Sequence, residues 1–454
     1  MTTDYTVNLR AVALDILLEV LEKGAFGHLV LRQALNKYGY LEKSERAFLS
    51  RLAQGCIARK IELDYRIDQV SSVKTKKMKA VIRNILRLTA YQIWHMDQVP
   101  DHAACSEAVK LAGRRGFAPL KGFVNGVARS LVRKKQENHG QDLPFYAKYS
   151  VPEWLDGYLS QFYDEEVRRG VWESCLKENE WSAEKKKGIS VRLNISRRPE
   201  KEILDCLQAD GVTAEKIEGI HQAYVIRGYD TLEGLEAFQK GYIQVQDGSS
   251  ILAGQAAAPK EGAFCIDVCA APGGKSIHLA DLLAGSGMVE SRDLTPQKVS
   301  MIEENIRRCG FSNIRASVAD ASADRPEDHE KADLVMADLP CSGLGVIGRK
   351  PDIKYQMTKE KMDSLAALQR TILSVVQGYV KPGGTLIYST CTINPAENEK
   401  NVEWLQKTYP FRLESLSPYL DEKIFGETVR KGYVQLMPGS YEGTGFFIAR
   451  LKRI

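Results

Sequence analysis

Nine cysteines are spread along the 454-residue chain, and two of them stand where a thiol can do chemistry. Cys341 lies in ADLPCSG and Cys391 in IYSTCT, each just past an apolar, strand-like run. A thiolate at such a place can add covalently to an electron-poor carbon. Upstream of both runs lies a glycine-rich turn, VCAAPGGKS, which comprises Cys269, Ala270, Ala271, Pro272, Gly273, Gly274 and Lys275 with their flanks. Gly273 and Gly274 open backbone angles closed to other residues and leave room for a ligand beside the main chain.

The turn narrows the choice of ligand. It ends in Gly-Lys-Ser, but a phosphate loop needs a glycine five positions before Gly274, and Cys269 stands there. It does not match GxGxxG either. A non-phosphate ligand such as S-adenosylmethionine fits better than a nucleoside triphosphate. Three later strand-like runs end on or near a carboxylate: Asp293, Asp320 and Asp338. An acid at the end of the second strand can accept hydrogen bonds from both ribose hydroxyls, and Asp320 can fix an adenine edge. A lone strand-end aspartate is more often a helix cap or turn residue. Three of them beside a glycine turn favour a nucleoside-bearing cofactor.

These residues need a scaffold that brings loop ends together. From about residue 241 the chain alternates strand, turn and helix, with strands AFCIDVC, MVESRD, IRASVAD, ADLVMAD and GTLIYSTC and a late strand FFIARLK. Such alternation implies a mostly parallel sheet covered by helices on both faces. Loops at the carboxyl ends of its strands converge on one crevice. One of the two thiols is then a nucleophile and the other assists proton traffic. A disulfide is the competing reading, which a reducing compartment disfavours.

Residues 7–135 read as helices throughout. Ala11, Leu14, Leu18 and Leu21 recur at helical spacing, as do Ile82, Ile85, Leu86 and Ile93. Ser44 and Asp101 are expected to cap two of these helices. Residues 136–150 are polar, carry a proline and read as a linker. From 151 to about 240, helix-like VPEWLDGYLSQFY and EKEILDCLQADG mix with strand-like ISVRLNIS and AYVIRG, as in a small α+β module.

Charge is uneven. Residues 1–140 hold 24 basic and 13 acidic side chains, which leaves 39 and 45 for the rest. A basic module joined to a mildly acidic body is the pattern of a protein whose N-terminal part touches nucleic acid, though a solvated helical surface reads the same way. The basic residues group as Lys74, Lys76, Lys77, Lys79, Arg83 and Arg87, then Arg114, Arg115, Lys121, Arg129, Arg133, Lys134 and Lys135. The small module adds Lys185, Lys186, Lys187, Arg192, Arg197 and Arg198. No apolar run reaches the roughly 18–20 residues that span a bilayer. The N-terminus has no signal-peptide pattern. The cysteines are scattered without CxxC or zinc spacing. A cytoplasmic protein without membrane or metal is expected.

The C-terminal half resembles the RNA 5-methylcytosine methyltransferases. The resemblance rests on DVCAAPGGKS, ADLPCSGLGVIGRKPDIKY, YSTCTINPAENE and the terminal GTGFFIARL, in that order. Residues 1–135, through LRLTAYQIWHMDQVPDHAACSEAVKLA and FVNGVARSLVRKK, resemble the NusB-like RNA-binding bundle of the Sun/RsmB branch. The implied architecture is a multidomain chain: an all-α NusB-like bundle at 1–140, a linker and small α+β RNA-binding module at 141–240, and a C-terminal α/β Rossmann-like S-adenosylmethionine-dependent methyltransferase at 241–454. The resemblance makes Cys391 the nucleophile toward carbon 6 of cytosine and Cys341 the residue that assists product release. It assigns the cofactor to Cys269 through Lys275 with Asp293, Asp320 and Asp338; Asp338 or Lys275 also holds the pyrimidine. The implied substrate is a specific cytidine of 16S ribosomal RNA, and a monomer is expected. The same chemistry on transfer RNA is the alternative, and a non-catalytic RNA-binding or antitermination factor is the alternative of another class. The family's Asp-Ala-Pro-Cys reads Asp-Leu-Pro-Cys here, so packing at Leu339 is expected to differ.

Overall fold

Apolar stripes at helical spacing account for the first of two compact units. The structure, a computed structural model, describes residues 7–137, 143–178, 188–440 and 443–454. The first unit contains the described residues up to 178 together with Ile347–Gln356; the second contains 188–346 and 357–454. Helices of the first are α1 (Leu9–Leu17), α2 (Gly27–Lys37), α3 (Lys43–Ala58), α4 (Lys60–Val70), α5 (Ala80–His95), α6 (Asp101–Arg114) and α7 (Lys121–Glu137). The short α8 (Phe145–Lys148) and α9 (Glu153–Leu159) follow, and then α10 (Glu165–Lys177). Helix α5 is buried on nearly every side because AVIRNILRLTAYQIW is apolar well beyond one stripe. Its Ile82, Ile85, Leu86 and Ile93 pack with Leu14, Leu17, Leu49, Leu52, Val124 and Leu131. Each such side chain contributes about 1.5–3 kcal/mol on burial. Gly55 of α3 permits the close approach of α5, since a Cβ there would lie 2.0 Å from the Tyr91 ring.

Two helix starts differ from expectation. Helix α3 begins at Lys43, and the Glu42 N–H donates to Glu45 Oε2 at 3.0 Å, so a Glu42–Glu45 capping box takes the role expected of Ser44. Asp101 is the first residue of α6, after an extended Pro100. It complements the helix dipole instead of capping it.

Ile347–Gln356, which ends in helix α16 (Ile353–Gln356), is woven into the helical unit. Lys354 Nζ donates to the Ala58 carbonyl at 2.7 Å, and Gln356 Nε2 to that of Ala25 at 3.2 Å. Asp352 accepts from the Gly27 N–H at 3.2 Å, at the start of α2.

The second unit opens with an antiparallel sheet of β1 (Ile189–Leu193), β2 (Thr213–Lys216), β3 (Ala223–Arg227) and β4 (Ile243–Val245), in the order β2-β3-β1-β4. Helices α11 (Glu200–Ala209) and α12 (Glu236–Gln239) accompany it, and α11 packs on one face through Ile203 and Leu207. β2 and β4 were invisible to alternation, being three or four residues long.

Helix α13 (Gly248–Ala257) leads into β5 (Phe264–Asp267), α14 (Gly274–Leu283), β6 (Met288–Asp293), α15 (Pro296–Cys309), β7 (Ile314–Val318) and β8 (Ala332–Asp338). Then come α17 (Lys359–Val376), β9 (Val380–Thr390), α18 (Glu399–Thr408), β10 (Phe411–Leu413), the short α19 (Glu422–Phe425) and α20 (Thr428–Lys431), β11 (Tyr433–Leu436) and β12 (Phe446–Arg453). The sheet order is β10-β12-β9-β8-β5-β6-β7, with β11 on β12. The five strands β9, β8, β5, β6 and β7 pair in parallel in that order, and β12 joins β9 antiparallel. The chain runs outward from β5 to β7 and returns at β8, so the order reverses between β5 and β8. That reversal is where open α/β sheets leave a crevice. Among the described residues, no helix is long and apolar enough to cross a membrane.

Candidate active site

The two thiols meet because β8 and β9 are parallel neighbours with Asp338 opposite Ser389. Cys341 lies three residues beyond the first and Cys391 two beyond the second. Their sulfurs stand 3.3 Å apart, in hydrogen-bond contact and well outside the ~2.05 Å of a disulfide. The two loops are stitched together. Leu339 N–H donates to the Ser389 carbonyl at 3.1 Å, Gly345 N–H to that of Cys391 at 3.1 Å, and the Ser342 and Thr392 hydroxyls lie 2.7 Å apart. The hydrogen bond to Cys391, burial and the nearby Glu397 carboxylate all push the Cys341 thiol up.

Beside the sulfurs opens a cleft of about 310 Å³. Of the residues expected from sequence, Cys269, Ala271, Asp293, Asp320, Asp338, Cys341 and Cys391 line it. Ala270, Pro272, Gly273, Gly274 and Lys275 form the turn behind this wall. Gly273 has φ +105°, and its N–H donates to the Ala270 carbonyl at 2.6 Å, closing the turn at the start of α14.

The carboxylates differ in what they already hold. Asp293 is buried and accepts from Ala271 N–H at 3.0 Å, Leu294 N–H at 2.7 Å and Lys298 Nζ at 2.9 Å. It therefore ties β6 to the glycine turn and keeps only part of its lone-pair capacity for a ligand. Asp320 is exposed, and among the described residues its carboxylate accepts from Ser322 alone, through N–H at 2.9 Å and hydroxyl at 2.6 Å, which lower its pKa. Asp338 receives Lys275 Nζ at 2.6 Å and the Ser389 hydroxyl at 2.8 Å. Burial alone would push Lys275 down, but Asp338 outweighs it and keeps the ammonium charged. Asp267, at the end of β5, is fully buried, and burial raises it to about 7 despite the Ser276 hydroxyl at 2.6 Å.

Several site residues escaped the sequence reading. Leu294, Lys298, Ser322, Leu368 and Ile372 also line the cleft. Leu294 follows Asp293 and is 58% exposed, a flat apolar wall next to a ribose-type acceptor. An apolar residue directly after the second strand-end acid was the available signal. Glu397 lies within the string YSTCTINPAENE, but its role was not legible there, because two of its three side-chain partners are 28 and 55 residues away in the chain. Leu339, the departure from Asp-Ala-Pro-Cys, is 3% exposed and packs in the core cluster beneath the cleft.

The basic residues sort into two kinds. Lys74, Lys76, Lys77, Lys79, Arg114, Lys121, Arg129 and Arg133 are exposed. Arg83 and Arg87 are not free for a polyanion, since they pair with Glu22 and Asp64 inside the helical unit. Arg115 pairs with Asp15 at 2.7 Å, and Lys135 Nζ donates to the Ile93 carbonyl. In the small module, Arg192 is wholly buried against Asp281 at 3.3 Å, while Arg197 and Arg198 are exposed. Lys185, Lys186 and Lys187 lie outside the described residues. Among the described residues, no cluster of His, Cys, Asp and Glu could hold a metal ion.

A reversing parallel sheet, a glycine turn after its first strand and strand-end acids around one cleft define a methyltransferase of the Rossmann-like, S-adenosylmethionine-dependent class. The lining fits that cofactor: carboxylate acceptors at Asp293 and Asp320 and an apolar wall at Leu294. Residues 255–452 match the family described as 16S rRNA methyltransferase RsmB/F, and residues 7–133 match the NusB family. The chain is 34% identical to the probable ribosomal RNA small subunit methyltransferase B of Bacillus subtilis, over 98% of this chain and 99% of that one. It is 29% identical to ribosomal RNA small subunit methyltransferase B of Cronobacter sakazakii, over 98% and 99%. The crystal structure of PH0851 shares the fold, with a TM-score of 0.79, 24% identity and coverage of 98% and 99%. The chain belongs to the RsmB/F family of small-subunit ribosomal RNA methyltransferases. It is an S-adenosylmethionine-dependent ribosomal RNA methyltransferase.

Proposed function

We propose that this enzyme methylates carbon 5 of one cytidine in 16S ribosomal RNA through a covalent bond between Cys391 and carbon 6. The observation that carries the reading is the pair of sulfurs 3.3 Å apart at the rim of the cleft. Carbon 5 of cytosine is a poor nucleophile. Addition of the Cys391 thiolate to carbon 6 makes carbon 5 enamine-like and able to take a methyl group from the sulfonium donor. A base then removes the hydrogen on carbon 5, and elimination restores the ring and frees Cys391. Cys341, in contact with Cys391, assists that release. Cys269 through Lys275 with Asp293 and Asp320 hold the donor, Leu294 walls its adenine, and the Lys275–Asp338 pair faces the pyrimidine.

The target base must leave its stack to reach such a cleft, which costs a few kcal/mol and least for an unpaired loop base. The exposed lysines and arginines of the helical unit, with Arg197 and Arg198 of the small module, supply phosphate contacts that position the RNA. The test is methyl transfer from labelled S-adenosylmethionine to protein-free 16S and transfer RNA, with methylated cytidines mapped. Incorporation at one 16S cytidine is expected. Incorporation into transfer RNA alone would replace the substrate, and none into any RNA would favour a binding factor. In the same assay, Cys341→Ala should accumulate an RNA–protein adduct that survives denaturation; its absence removes the release role from Cys341.

A further inference from the structure

The two sulfurs are chemically alike and in hydrogen-bond contact, so when one ionises to react, the proton that remains must sit on the other. Their surroundings differ. On the Cys341 side, the next residue's N–H, that of Ser342, donates to Glu397 Oε2 at 2.8 Å. The same carboxylate receives Gln369 Nε2 at 3.1 Å and Asn394 Nδ2 at 2.8 Å, the latter from the loop that carries Cys391. Burial pushes the wholly buried Glu397 up, but three N–H donors and no acceptor among the described residues favour its ionised carboxylate. Its main-chain carbonyl accepts from the Tyr388 hydroxyl, and Gln369 Nε2 also donates to the Pro340 carbonyl at 2.9 Å. On the Cys391 side stands the Lys275 ammonium, held by Asp338.

We propose that Glu397 is a positioning residue for the methyl-transfer reaction: its carboxylate ties the Cys341 loop to the Cys391 loop and keeps the shared proton on Cys341, leaving Cys391 as the thiolate. The inference rests on Cys391 being the nucleophile. The charged and titratable groups around the pair are Glu397 and the Tyr388 hydroxyl toward Cys341, Lys275 toward Cys391, and Asp338 and Asp267 behind Lys275. A buried anion beside a thiol disfavours its thiolate, and a nearby cation favours the other. Glu397 does raise the Cys341 thiol, after the larger effects of the Cys391 hydrogen bond and burial.

The test is iodoacetamide labelling of the full-length protein across pH, with the modified cysteine identified by peptide mass spectrometry. Wild type is expected to react first at Cys391. Glu397→Gln keeps the volume and removes the charge, and should move the Cys341:Cys391 labelling ratio toward Cys341 by about tenfold, the effect of one pKa unit. Glu397→Asp keeps the charge and should retain the wild-type preference even where activity falls. A ratio unchanged within about twofold in folded Glu397→Gln, or the same shift in both variants, overturns the proposal. Should Glu397→Gln not fold, Asn394→Ala, which removes one donor to the carboxylate, must shift the ratio in the same direction; no shift overturns the proposal equally. Wild-type labelling first at Cys341 is a different result, because it removes Cys391 as the nucleophile.

Discussion

In the helical unit, Glu62 is 2% exposed and meets Arg59 at 2.7 Å, Arg66 at 2.8 Å and His95 at 3.1 Å. Close by in the same unit, Glu22 and Asp64 hold Arg83 and Arg87. Each of these three carboxylates has a cation facing it. The cysteine site of the second unit buries charge on other terms. Glu397 is satisfied by neutral N–H groups, Asp267 Oδ1 finds no hydrogen-bond partner among the described residues, and the two thiols stand in contact with each other. Fully paired buried ions lock a scaffold at the expense of desolvation. Incompletely paired groups keep proton affinities that can be used. The first cluster is built to stay, the second to react.

The largest effect that sharpens this contrast is Cys391→Ala. It should lower methyl transfer by at least about a thousandfold, as removal of a covalent nucleophile does, while donor affinity measured by calorimetry stays within a few fold. Activity near wild type would move the reactive group elsewhere.

The converse change strikes the scaffold. Glu62→Ala removes the buried anion that the half-buried Arg59 and Arg66 share with His95, and should cost about 1.5–3 kcal/mol in chemical denaturation. Turnover per folded molecule should stay near wild type. The same cluster sets an acid limit. Burial alone would raise Glu62, but His95, Arg59 and Arg66 outweigh it and hold the carboxyl below its usual range. A depressed folded pKa contributes stability that is present above the ordinary value of 4.5 and is lost as pH falls below it. Glu62→Ala should therefore weaken the pH dependence of unfolding in that acid range.

Lys354 is the exception within the helical unit, a buried amine bonded to a carbonyl and pushed by burial down to about 7. Between about 7 and 10.5 the unfolded chain binds the extra proton, so this residue makes stability rise with pH across that window. Lys354→Met should flatten the rise in melting temperature over the same range. An unchanged slope would mean that the amine is not desolvated.

The smallest effect concerns the exposed rim. Asp320→Asn should weaken donor binding by about two- to tenfold, the worth of one hydrogen bond, with kcat unchanged. A drop in kcat with no change in KM would place Asp320 nearer the reacting atoms.

Much of this site was legible in the chain. Strand-end acids, the glycine turn and the two cysteines announced themselves because each is a local pattern, set within about ten residues by backbone geometry and side-chain alternation. Seven of the residues so read line one cleft. Other features were not legible. Arg83, Arg87 and Arg192 looked like phosphate contacts, since a basic residue gives no sign in sequence of the acid that will cover it. The role of the Ser44 position passed to Glu42 and Glu45, both of which were equally good local signals.

Sequence alone determined most of the helices and the longer strands, where the glycine turn falls and which thiols lie just past strand ends. These follow from periodicity and from glycine and proline chemistry, which act between near neighbours. Only the tertiary structure decided that Asp338 pairs in register with Ser389, that two sulfurs 50 residues apart stand 3.3 Å from each other, and that Ile347–Gln356 packs with the helices. Those outcomes depend on how strands order themselves in a sheet and on where each buried charge finds a partner, which contacts distant in the chain settle together.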